Sequence, residues 1–174
     1  MSSELVEDPV LRQRYRFARD GDILRVDVWA EPGSAVPDHF HPRLEERWEV
    51  VEGQVTFRID GDDRPAGPGD RLSAPAGVRH SFENTGSEPA YLRVEVEPPL
   101  MLQEFLVEGA ALNRTGGFTE RGIPKGLRAL LQGADFTQRY RDTAVLTFPP
   151  PAVQRILFPP LARLARRRKR KAAA

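Results

Sequence analysis

Apolar and polar residues alternate with a period of two through the first half of the chain. Between Ile23 and Ala30, Leu24, Val26 and Val28 fall on one face and Arg25 and Asp27 on the other, which predicts a half-buried strand. Tyr91 to Val96 alternates in the same way until Pro98-Pro99 ends it, and Glu45 to Asp60 reads as two strands joined near Glu52-Gly53, with a turn at Asp60-Gly61-Asp62-Asp63. Residues 14 to 98 are therefore expected to be β-structure, built from short strands. After Pro99 the period becomes helical. Leu102, Phe105, Leu106, Gly109 and Ala110 follow it, as do Phe136, Tyr140, Thr143, Ala144 and Thr147. Between them Gly116-Gly117 and Gly122-Ile123-Pro124 mark a loop, with a short helix expected from Pro124 to Leu131. Pro149-Pro150-Pro151 breaks the chain, and Val153, Ile156 and Leu157 begin a further short helix that Pro159-Pro160 is expected to interrupt. Three segments follow: a β-barrel with its N-terminal strands over 1–99, a helical appendage covering a barrel face or mouth over 100–148, and a Pro-rich, basic tail over 149–174.

Composition narrows the chemistry. The 174 residues, 40% hydrophobic, suffice for one cored domain, or a domain with an appendage. With no cysteine, disulfide frameworks and thiolate sites are excluded, so any metal must be held by nitrogen and oxygen. The first residues lack a basic start and an apolar run, and no stretch is apolar for long enough to cross a bilayer, so a cytoplasmic location is expected. The formal net charge of +1 hides an asymmetry: Arg166 to Lys171 contributes six positive charges, leaving 1 − 6 = −5 for the remainder. Beside this run Leu161, Leu164 and Ala165 form a narrow apolar stripe. The tail has two readings, a solvated end in which the like charges repel one another and a weak contact with an anionic membrane, and no specific nucleic acid partner is expected.

All three histidines fall within two short patterns. In the first, His39 and His41 lie two apart, so on one strand they face the same side, and Glu46 follows five residues later. Glu46 has the opposite parity. Pro42 lacks a ladder donor and favours an end or bulge of the strand, after which a new strand starting near Glu45 turns Glu46, Trp48 and Val50 inward. Glu45 then faces away, as does Arg47. In the second pattern Pro75 and Gly77 supply a turn and His80 opens the strand behind it. Three neutral imidazoles and one carboxylate suit one divalent ion of Fe, Mn, Ni, Cu or Zn, and an octahedral ion would keep two positions for water, substrate or dioxygen.

These residues carry a resemblance. Gly33, His39, His41, Glu46 and Gly53 match the first motif of the cupin superfamily, and Gly69, Pro75, Gly77, His80 and Asn84 match its second without departure. The resemblance covers about residues 20 to 98 and implies a mainly β fold, a double-stranded β-helix or jelly-roll barrel (RmlC-like) that is commonly a homodimer with a metal inside. It does not imply one reaction. Two functions are expected. One is an enzyme acting on a small organic molecule, by oxygenase or dioxygenase chemistry (an oxidoreductase) or as a Lewis-acid isomerase or cyclase, with Glu46 also available as a general base. The other is a non-catalytic, metal-containing small-molecule binding module. Arg43, Trp48, Phe57 and Phe82 are candidate pocket residues, and Asn84 is expected to shape its own turn.

Overall fold

The computed structural model describes residues 5–119 and 122–172; the first four residues of the amino-terminal stretch, and Ala173 and Ala174 of the tail, lie outside the described residues. Its strands are β1 (Val6–Asp8), β2 (Gln13–Asp20), β3 (Ile23–Ala30), β4 (Ala35–Phe40), β5 (Glu45–Glu52), β6 (Val55–Ile59), β7 (Asp62–Ala66), β8 (Arg71–Ala74), β9 (His80–Glu83), β10 (Ala90–Glu97) and β11 (Val145–Leu146). Its helices are α1 (Leu102–Arg114), α2 (Leu127–Arg139) and α3 (Pro151–Ala172). The strands form two antiparallel sheets, ordered β1-β2-β3-β10-β5-β8 and β11-β4-β9-β6-β7. This is the double-stranded β-helix, a mainly β fold with an appended helical region.

The alternation that marks the strands also fills the space between the sheets. Leu24, Val26 and Val28 of β3, Trp48 and Val50 of β5, and Leu92, Val94 and Val96 of β10 face Val55, Phe57 and Ile59 of β6 in one buried cluster. Gly53 turns β5 into β6 at φ +83°, and a Cβ there would stand 2.7 Å from Ala90 Cα, so the hairpin needs glycine for both reasons. Helix α1 closes against β1. Leu102 and Ala110 are buried, Phe105 and Leu106 pack on the barrel core, and the Asn113 amide donates to both Asp8 carboxylate oxygens at 3.0 and 2.9 Å.

Beyond α1 the structure corrects two expectations. The second helix runs Leu127–Arg139, and Tyr140, Thr143 and Ala144 form only a closing turn, with Thr143 and Ala144 N–H groups both donating to the Tyr140 carbonyl. Thr147 then leaves helical geometry because its N–H and hydroxyl bond Asp38 of β4 (3.0 Å to the carbonyl in both cases), so a tertiary strand wins over local spacing. Helix α3 is not interrupted at Pro159-Pro160. Those prolines lack the N–H groups that would reach residues 155 and 156, a cost of about 3 kcal/mol for each proline in a free helix interior. Packing of Ala162 and Ala165, and the pairing of Arg166 with Asp135 at 2.8 Å, offset that cost beyond the prolines.

Candidate metal centre

Both sheets contribute to one side-chain cluster. His39 of β4 and His80 of β9 are directly opposite in the smaller sheet, and Glu46 enters from β5 of the larger one, paired with Val96 and Ala74. His41 lies one residue past the end of β4. The change of parity has two sources. The pairing of β4 with β9 shifts register between Val36 and His39, around Pro37, and the strand then ends at Phe40, before Pro42. After the Pro42-Arg43-Leu44 connection, Glu46, Trp48 and Val50 point inward and Glu45, Arg47 and Glu49 outward. The motif turn is tied to the same place: Gly77, at φ +83°, donates its N–H to the His41 carbonyl at 2.8 Å. One donor atom from each of His39, His41, Glu46 and His80 lies within 4.8 Å of the others.

The ring orientations are fixed from behind. His39 Nδ1 lies 2.8 Å from the Pro37 carbonyl, His41 Nδ1 2.6 Å from the Thr143 carbonyl and His80 Nδ1 2.9 Å from the Val78 carbonyl. A carbonyl only accepts, so each Nδ1 must carry a proton, and a neutral ring then presents its lone pair at Nε2. The Nε2 atoms of His41 and His80 are buried without a hydrogen-bond partner. They stand 3.4 and 3.3 Å from the two Glu46 oxygens, close enough for attraction but not aligned as hydrogen bonds. Buried polar atoms left in this state are costly, and three Nε2 lone pairs beside a carboxylate match the nitrogen and oxygen donor set of a divalent transition metal. The residues present fit such an ion.

Electrostatics reflect the crowding. His39, half-buried at the edge of the cluster, is pushed down to about 3 by burial and by the neighbouring His80 and His41 rings. Burial draws His41 toward its neutral form, but the Glu46 carboxylate outweighs it and the net shift is upward. At Glu46 burial opposes ionisation, and the electrostatic attraction of the adjacent His41 and His80 rings still holds the carboxyl well below its usual range.

The other candidate residues have different settings. Trp48 and Phe57 are buried, with rings 5.2 Å apart, and Trp48 also lies edge-on to His80 at 5.2 Å. Phe82 is half-buried against Phe57 at 5.7 Å. Arg43 is exposed, and Arg79 pairs with Asp38. Asn84 is fully buried; its amide donates to the Ala30 and Glu88 carbonyls and its oxygen accepts from Gly86 N–H, the turn role expected of it. Sequence reasoning missed Thr143, because what matters is its carbonyl, which any residue type supplies. It also missed Asp38, whose carboxyl, in spite of partial burial, is held low by Arg79 and Thr147.

A family model described as Cupin domain matches residues 26–97. Among curated proteins, the polyketide synthase CurC of Streptomyces cyaneus is 36% identical over 67 residues, 38% of this chain and 44% of that protein. Quercetin 2,3-dioxygenase of Bacillus subtilis (strain 168) is 35% identical over 63 residues, 36% of this chain and 19% of that protein. The chain thus spans less than half the length of these relatives. Among solved structures, a sugar phosphate isomerase from a cupin superfamily, of Silicibacter pomeroyi, superposes with a TM-score of 0.51 at 23% identity, over 55% of this chain and 71% of that one. A predicted oxalate decarboxylase of Thermotoga maritima gives 0.50 at 22%, over 56% and 93%. Both show the fold alone. With two complete motifs, the double sheet they predict and the matched segment at its centre, residues 26–97 of the chain form a cupin domain.

Proposed function

We propose that His39, His41, Glu46 and His80 hold one divalent transition metal and that the chain is an enzyme acting on a small organic molecule. The observation that carries this reading is the triple lock: three Nδ1–H groups spent on backbone carbonyls, with the opposite nitrogens converging on one carboxylate. Bound there, the ion would supply Lewis acidity toward a substrate oxygen and, if redox-active, a place for dioxygen. The chain's own residues do the rest. The carbonyls of Pro37, Thr143 and Val78 hold the imidazoles in one tautomer, Trp48 and Phe57 keep bulk water out from below, and Glu46 can take a proton when it loosens from the ion. Similarity to a dioxygenase over a short segment supports oxygen chemistry among the options. Arg43 and Phe82 belong to this proposal as residues on the substrate side, and the homodimer as its assembly.

Metal analysis of protein purified without added metal tests the centre. One ion per chain is expected in the parent and in Glu45→Gln, whose side chain points outward, with retention lost in His80→Ala and Glu46→Gln. A folded His80→Ala protein that keeps metal as tightly as the parent removes the assignment. Oxygen consumption on adding substrates supports an enzyme, and ligand binding without product would assign the chain as a binding module instead.

A further inference from the structure

Helix α3 presents an outward side that the metal centre does not use. Gln154, Ala162 and Ala165 pack inward, whereas Val153, Ile156, Leu157 and Leu164 recur at helical spacing away from them, all exposed, with Ile156 at 73%. Phe148, just ahead of the helix, is 80% exposed. Farther along the same outward side stand Arg163, Arg167 and Lys171. No acidic residue follows Asp142, and residues 143–174 hold eight cations, Arg155, Arg163 and the run Arg166 to Lys171. One helix therefore carries an apolar stretch and then a basic stretch toward solvent. This surface differs from the stripe expected from sequence, since Ala165 is buried and Leu161 half-buried.

We propose that α3 lies on an anionic lipid surface, with Phe148, Ile156 and Leu157 entering the acyl boundary and Arg163, Arg167 and Lys171 meeting the headgroups. Charge complementarity selects an anionic partner, and the adjoining apolar residues select a membrane over nucleic acid, for which exposed Phe, Ile and Leu side chains serve no backbone contact. No helix among the described residues is long and apolar enough to cross a membrane, so attachment is peripheral. This inference does not rest on the metal reading.

The test is sedimentation of the full chain with vesicles of phosphatidylcholine alone and of phosphatidylcholine mixed with phosphatidylglycerol. Binding is expected only to the mixed vesicles, and it should fall steeply in salt, because the screening length shrinks to about 3 Å at 1 M. The charge-reversal variant Arg163→Glu/Arg167→Glu/Lys171→Glu, which spares the Asp135 partners, should bind at least about a hundredfold more weakly. The variant Ile156→Ser/Leu157→Ser should lose about tenfold, with circular dichroism confirming its fold. An F148W reporter should shift its emission to the blue on the mixed vesicles. Unchanged binding by Ile156→Ser/Leu157→Ser, or no emission shift, overturns the proposal. So does binding to duplex DNA or RNA with none to vesicles, or self-association through Ile156 and Leu157 with none to vesicles.

Discussion

Among the four clustered side chains, His39 gives the site its pH dependence in the metal-free protein. Its folded value is about 3, against about 6.5 in an unfolded chain. As pH falls through that interval the unfolded chain gains a proton at His39 that the folded chain refuses, so stability is lost between about pH 6.5 and pH 3. His41, raised by Glu46, acts with the opposite sign: its contribution is lost as pH rises through its folded value and is complete below about 6.5, so it does not mask the effect. Glu46, held low, loses its contribution only below the ordinary carboxylate range. Urea unfolding of metal-free protein should therefore show parent stability dropping from pH 6.5 to about pH 5, and His39→Gln dropping much less. Equal drops in the two proteins would place the acid sensitivity elsewhere. The four residues were legible because their spacing is dictated by strand parity and one turn. The carbonyls that aim them were not, since a backbone oxygen leaves no trace in residue type.

At the scale of elements, the barrel was legible wherever one strand face is buried, because alternation over β3, β5 and β10 records that face directly. The same logic fails for β11. Two residues are too short to alternate, and their pairing with Phe40 and His39 depends on a partner more than a hundred positions away, as the 102-residue separation of His41 and Thr143 shows. Yet this short strap fixes the Thr143 carbonyl beneath the His41 ring. Thr147 fastens it, donating its N–H to the Asp38 carbonyl at 3.0 Å and its hydroxyl to the Asp38 carboxylate at 2.9 Å, while Arg79 pairs with the same carboxylate oxygen. Thr147→Pro removes both donors and should release the strap, lowering metal affinity by about tenfold or more, the usual effect of losing a partner behind a ligating imidazole. Thr147→Ser should stay near the parent. Chelator competition measures both, and parent-like affinity in a folded Thr147→Pro protein would show that His41 needs no support from the appendage.

Across the whole molecule the charge is divided, and the division is structural. Residues 143–174 carry eight cations and no acid, so the rest sums to 1 − 8 = −7. Among the described residues, the salt bridges from this segment converge on one acid. Asp135 of α2 is buried, and its oxygens receive Arg139 at 3.0 Å, Arg166 at 2.8 Å and Lys169 at 3.9 Å, the last two from α3. The two α3 cations are half or more exposed and can return to water at little cost. The buried carboxylate cannot, so pairing is what allows Asp135 to face α3 at all. Asp135→Asn keeps the shape and removes the charge that orients three donors. About 1–3 kcal/mol should be lost, the range for a charged hydrogen-bonding group, and the loss should be local. Hydrogen exchange is expected to quicken in α3 and in the last turns of α2, with the amides of β3, β5 and β10 unchanged. Uniform acceleration, barrel included, would mean that α3 unfolds only with the whole protein. Localised acceleration would make the carboxylate of Asp135 the clasp by which a proline-containing, highly basic helix is held against α2.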